Sequence, residues 1–294
     1  MPTAGIERTR ARPGPRRALA PATSLPGQGS WESGLRHTLA AIEGCGGGAP
    51  TAEGLLAPPT LEALNQVAAQ SGLRAGAQRQ LRFVDAAPLG RLSAVEYESH
   101  NGRTGDVPTR CRGPGAWHDW YNALIWLNWP RTKRALNDAQ CRQIASSSGL
   151  SADHGQRDRR RDAITLFDES GLVMVCAMPL LRHALREQRW RPLFIEQRYA
   201  FVRHARLRPV GHGLLDKLRT PFKGVCARVW ILPVDAQTPA ATIDALLAEA
   251  IARGAPWREA LPPMPVLGVP GWWPANESAD FYDDPTVFRQ RSPR

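Results

Sequence analysis

One stretch in the middle of the chain limits the fold more than any other. Residues Trp117 to Trp129 read WHDWYNALIWLNW. The length suits a helix, predicted over 116–129, and Pro130 ends it because proline cannot continue the hydrogen-bond ladder from within. Trp117, Trp120, Tyr121, Leu124, Ile125, Trp126 and Leu127 cover almost the whole circumference. A helix that is apolar on every side must be enclosed by the rest of the protein. The chain therefore needs enough other elements to wrap a central helix. That requirement excludes a coiled coil or an extended repeat.

Three polar residues interrupt this surface: His118, Asp119 and Asn122. His118 and Asn122 are four apart and share a face. A buried carboxylate costs several kcal/mol unless it is paired or hydrogen-bonded. Two uses meet that cost. One is a pocket wall in which Asp119 orients His118 as a general acid/base, or in which both hold a divalent metal. The other is an internal network in which Asp119 pairs with an arginine.

The remaining elements follow from periodicity and punctuation. Helices are predicted over 31–44, from Thr60 as cap to Ser71-Gly72, and over 131–144, 179–188, 192–204, 211–218 and 242–252. Strands are predicted over 80–84, 94–98, 162–167, 172–177 and 225–232, with Asn101-Gly102 as a turn. The two strands around Asp168-Glu169-Ser170-Gly171 make a hairpin on this reading. Residues 45–59 and 146–160 read as loops. The aromatic residues after 262 predict a tail that packs on the body. The elements do not alternate regularly, which predicts an α+β fold: a single helix-rich domain over 31–294 with a small antiparallel sheet. Residues 1–30 hold five arginines and five prolines and read as a disordered basic tail.

Charge narrows the partners. The chain of 294 residues has a net charge of +11, with 35 Arg and three Lys among its basic residues. Residues 103–228 contain 23 basic and 11 acidic side chains, and the remainder is near neutral. Such a zone concentrates anions, either a small anionic molecule or nucleic acid. Arg182, Arg186, Arg189, Arg191, Arg198, Arg203, Arg206 and Arg208 form its densest series. Five widely spaced cysteines argue against a disulfide framework or a structural zinc cage and point to a reducing, cytoplasmic setting. No apolar run approaches the ~20 residues of a membrane helix.

Around the central helix other chemistry-bearing residues gather. Arg110 lies beside Gly113 and Gly115, where a guanidinium can clamp a carboxylate or phosphate. Lys133 and Asn137 share a helical face. On a strand, Asp162 and Asp168 are an even number apart and point the same way. Glu169 and His212, the latter in Gly211-His212-Gly213, complete the set. No Gly-rich nucleotide loop is present.

These residues fall into blocks. They are Pro108-Thr109-Arg110; Trp117-His118-Asp119 with Asn122-Ala123-Leu124 and Trp126; and Pro130 with Lys133, Leu136 and Asn137. Further on come Arg161-Asp162-Ala163 with Thr165-Leu166-Phe167-Asp168-Glu169, and Gly211-His212-Gly213-Leu214-Leu215. The ordered set resembles the signature of a bacterial family catalogued as domain of unknown function 3025, over about residues 75–290. The resemblance implies one domain and one site, and no particular reaction.

Three function classes follow. The first is a hydrolase-type enzyme acting on a small phosphate-bearing anion. In it His118, Asp119 and Asp168 do acid–base work, while Arg110, Asn122, Lys133, Asn137, Arg161, Asp162, Glu169 and His212 bind substrate. The second is a nucleic-acid-binding protein that uses the arginine series. The third is a structural or partner-binding domain whose polar groups only specify the fold.

Overall fold

The computed structural model describes residues 31–45, 50–51, 54–55, 60–147, 154–254 and 261–291. The expected tail over 1–30 lies outside them. The chain runs α1 (Arg36–Gly44), β1 (Pro50–Thr51), β2 (Gly54–Leu55), α2 (Leu61–Gln70), β3 (Arg82–Asp85), α3 (Ala94–Thr104), β4 (Asp106–Thr109), α4 (Ala116–Asn128) and α5 (Pro130–Ser147). It continues through α6 (His154–Ser170), β5 (Gly171–Cys176), α7 (Pro179–Arg186), α8 (Arg198–His204), β6 (Ala205–Pro209), α9 (His212–Arg219), β7 (Cys226–Leu232), α10 (Ala240–Ala252) and β8 (Pro263–Pro265). The helix-rich α+β class is as expected. No helix among the described residues is long and apolar enough to cross a membrane.

The main sheet has the order β6-β5-β7-β8. It is mixed rather than antiparallel, because β5 and β7 run parallel while the outer pairs are antiparallel. β5, the sequence GLVMVC, is buried at every position, as expected of a strand covered on both faces. Its alternation sends Val173 and Val175 into one apolar cluster and Leu172, Met174 and Cys176 into another. The first cluster contains the buried side of α4, with Trp120, Trp126 and Trp129 almost inaccessible. The second is closed by the C-terminal segment.

That segment is pinned by Arg198, which is 4% exposed. Its guanidinium donates to the Phe194 and Asn276 carbonyls and lies 2.9 Å from Glu277. Asn276 donates in turn to Leu267 O and Val269 O, and Tyr282 to Gly268 O. The tail therefore packs as its aromatic residues predicted.

Several elements differ from expectation. Residues 94–98 belong to α3, not to a strand. Ser93 and Glu96 form a reciprocal capping box that starts the helix. Asn101-Gly102 consequently lies inside α3, and the chain turns at Gly105, whose φ of +79° suits glycine. Residues 162–167 are helical as well. Ala163, Ile164, Phe167 and Asp168 are buried while Thr165 is exposed, which is a helical period and not an alternating one. There is no hairpin, since α6 runs directly into β5. β3 forms a parallel pair with β4, which was not anticipated. A π-turn over Pro192–Glu196 interrupts the helix expected over 192–204, and β6 follows it. The loop expected over 45–59 contains the short β1–β2 pair.

Candidate metal centre

Helix α4 supplies His118, the C-terminal turn of α6 supplies Glu169, and the first residue of α9 is His212. A close backbone approach brings the last two together. Val210 and Gly211 both donate their N–H groups to the Gly171 carbonyl, at 3.0 and 2.8 Å. A Cβ on Gly211 would lie 2.4 Å from Gly171 N and 2.6 Å from Glu169 O. Only glycine allows α9 to begin there.

The Nε2 atoms of His118 and His212 are 3.1 Å apart. Glu169 Oε1 is 3.4 Å from the second and 3.9 Å from the first. These three separations define a triangle whose centre is about 2.0 Å from each atom, the bond length of nitrogen and oxygen ligands on zinc. His212 is 8% exposed, whereas His118 and Glu169 are 35% and 42% exposed. The trio is anchored on one side and open on the other. Two imidazoles and a carboxylate fit a divalent transition-metal ion with free positions.

The electrostatics agree with that fit. Burial pushes the Glu169 carboxyl up, but a hydrogen bond with His212 and both imidazole charges outweigh it and leave a pKa of about 2. Burial, and next His212, lower the pKa of His118 and favour the neutral ring that a metal needs.

Behind each imidazole stands another carboxylate. Asp216 Oδ2 is 4.0 Å from His118 Nδ1, and Asp168 Oδ2 is 3.9 Å from His212 Nδ1. Both separations exceed a hydrogen bond, and the buried His212 Nδ1 has no hydrogen-bond partner, so the carboxylates act on the rings through charge. Asp168 Oδ1 accepts a 2.6 Å hydrogen bond from buried Lys133, which also lies over the Trp126 ring. Deeper still, Asn137 donates to the carbonyl and carboxylate of Glu98. Burial, followed by the charge of Asp168, raises the Glu98 carboxyl to about 7. Asn122 donates to the Tyr97 hydroxyl at 2.7 Å.

Thus the structure brings His118, Asp168, Glu169, His212 and Lys133 together, with Asn137 deeper beside Glu98. Others do not join them as expected. Asp119 accepts hydrogen bonds from the backbone N, Nε and Nη2 of Arg110, all between 2.7 and 2.8 Å. It is paired with an arginine and does not orient His118. Arg110 and Lys133, expected to hold an anion, are each engaged by a carboxylate. Asp162 is exposed, and its strand-based alignment with Asp168 fails because both lie on a helix. Arg161 is half-buried, two turns before Asp168. The arginine series does not form one face, since Arg198 is buried and Arg206 donates to the Val202 and Ala205 carbonyls.

Sequence reasoning missed Glu98, Tyr97 and Asp216. A capping box, Ser93 to Glu96, marks the helix that carries the first two. The third follows His212 by four residues, one helical turn.

Fold and site together define a helix-rich α+β protein with a two-histidine, one-glutamate cluster at the junction of three helices. Residues 81–292 match the family model described as "Protein of unknown function (DUF3025)", and the chain belongs to that family. No curated protein and no solved structure matches the chain.

Proposed function

We propose that this chain is a metal-dependent hydrolase acting on a small anionic, phosphate-bearing substrate. The supporting observation is the convergence of His118, His212 and Glu169 on one point about 2.0 Å from all three, with solvent on the open side. A divalent cation bound there supplies positive charge and lowers the pKa of a bound water towards ~7.

The chain's own groups have separable tasks in this reading. Glu169 stays ionised as a ligand. Asp216 and Asp168 lie 4.0 and 3.9 Å from the outer nitrogens of His118 and His212, beyond hydrogen-bond distance, and contribute negative charge behind the rings. Lys133 offsets the charge of Asp168, so the buried carboxylate is not left alone. Arg219, whose contact with its carboxylate neighbour is longer than those that hold Arg110 and Lys133, is the cation for substrate. It lies 5.1 Å over the Trp117 ring and 3.6 Å from Asp216, and is 42% exposed.

The test is hydrolysis of p-nitrophenyl phosphate and bis-p-nitrophenyl phosphate by chelator-stripped protein with and without added zinc or manganese. Metal-stimulated turnover that His212→Ala abolishes supports the proposal. Metal binding without turnover on either ester would reduce the centre to a structural one.

A further inference from the structure

A cavity lies at the end of α4 opposite His118. His118 is near the start of that helix and Asn128 is its last residue, a separation of about 15 Å along the axis. The cavity has a volume of about 510 Å³, within the range of small-ligand sites. Arg208, Arg131, His37, Ser33, Asn128 and Asp244 contribute to its wall.

Arg208 has the unusual environment. It projects from edge strand β6 beneath the turn at Gly34, whose Cβ position would meet its Cγ at 3.9 Å. Its Nε is buried and has no hydrogen-bond partner. Among the described residues no carboxylate supports it: burial and the neighbouring Arg206 charge both work against the charged guanidinium. The guanidinium is half-buried, and a buried N–H donor left without an acceptor is costly. Asp244, the acid among the described wall residues, already has partners. Its two carboxylate oxygens accept the backbone N–H groups of Arg131 and Thr132, at 3.0 and 2.8 Å. The described wall therefore has two guanidiniums, an imidazole and one carboxylate that already accepts two backbone N–H groups. Its unmet need is for hydrogen-bond acceptors carrying negative charge.

We propose that this cavity binds the phosphate or carboxylate group of a small metabolite, with Arg208 as the inner anchor and Arg131 at the rim. A guanidinium fork suits the paired oxygens of either group. The site is separate from the metal centre and does not depend on its chemistry.

Calorimetric titration of the full chain with inorganic phosphate tests this, with acetate as a parallel titrant. Wild type is expected to bind at least one of them. Binding should weaken at least ten-fold in Arg208→Gln and several-fold in Arg131→Gln, while metal content stays unchanged in both. If Arg208→Gln does not fold, exposed Arg131 carries the test alone. Phosphate binding lost while acetate binding is absent identifies a phosphate site, and the converse a carboxylate site. Equal affinity in all variants, or no binding of either anion to wild type, overturns the proposal.

Discussion

Glu169 and His118 both have lowered pKa values, which leaves the first charged and the second neutral. The Glu169 carboxyl, near 2, remains ionised through the whole neutral and mildly acidic range. The His118 imidazole then governs how cation binding depends on pH. With the pKa of His118 held below the usual ~6.5, its ring is neutral at pH 7 and takes a proton only on acidification. Zinc affinity is therefore expected to be flat from pH 7 to 8 and to fall below the ordinary histidine range, as measured by competition with a chromogenic chelator. An affinity that rises on acidification would contradict this. Glu98 gives a different pH signature. Its folded pKa of about 7 lies above that of an exposed glutamate, so the folded state holds a proton that the unfolded state has released. Stability is then complete below about pH 4.5 and is lost as pH rises through 7. Glu98→Gln should flatten that decline, so that its urea midpoint exceeds the wild-type value at pH 8 and differs less at pH 5.

Among the elements, α9 and α6 depend on one glycine. Gly211→Ala would force backbone atoms apart, because its neighbours are Gly171 N and Glu169 O and not the ends of flexible side chains. The expected result is a loss of about 2 kcal/mol in urea unfolding, with bound metal reduced by more than that loss explains. Ser93→Ala removes the cap of α3 and should cost about 1 kcal/mol, with bound metal per folded chain unchanged. Much of this level was legible in the sequence. The Trp-rich period marked α4 as buried, and an unbroken apolar run marked β5. Residues 162–167 were misread because Asp168-Glu169-Ser170-Gly171 has the composition of a turn. Composition does not distinguish a turn from a helix end that joins a buried strand. That error also hid the true geometry of Asp168, which faces His212 from a helix. The candidate site was legible as a residue list, with His118, Glu169 and His212 all named. Their convergence was not, because it depends on contacts between helices far apart in the chain. Asp119 shows the same limit: only the folded chain shows Arg110 occupying both its oxygens.

At the scale of the whole molecule, one sheet separates two apolar clusters, and the candidate metal centre lies where α4, α6 and α9 meet. The concentrated positive charge is partly consumed inside this frame. Arg198 ties the C-terminal segment to the second cluster through Glu277 and Asn276. Arg198→Ala is expected to lower stability by about 3 kcal/mol, since it empties a buried side-chain site and removes the partner of half-buried Glu277. Equilibrium denaturation measures it, and a change under 1 kcal/mol would show that the tail is held by its aromatic contacts alone. The central claim, that three side chains from three helices form a cation site, is tested most directly by counting metal. Protein stripped by chelator, reloaded with zinc and desalted should retain one ion per chain by elemental analysis. The double variant His118→Ala/His212→Ala, folded by circular dichroism, should retain none. Zinc absent from wild type, or present equally in both proteins, would contradict the account.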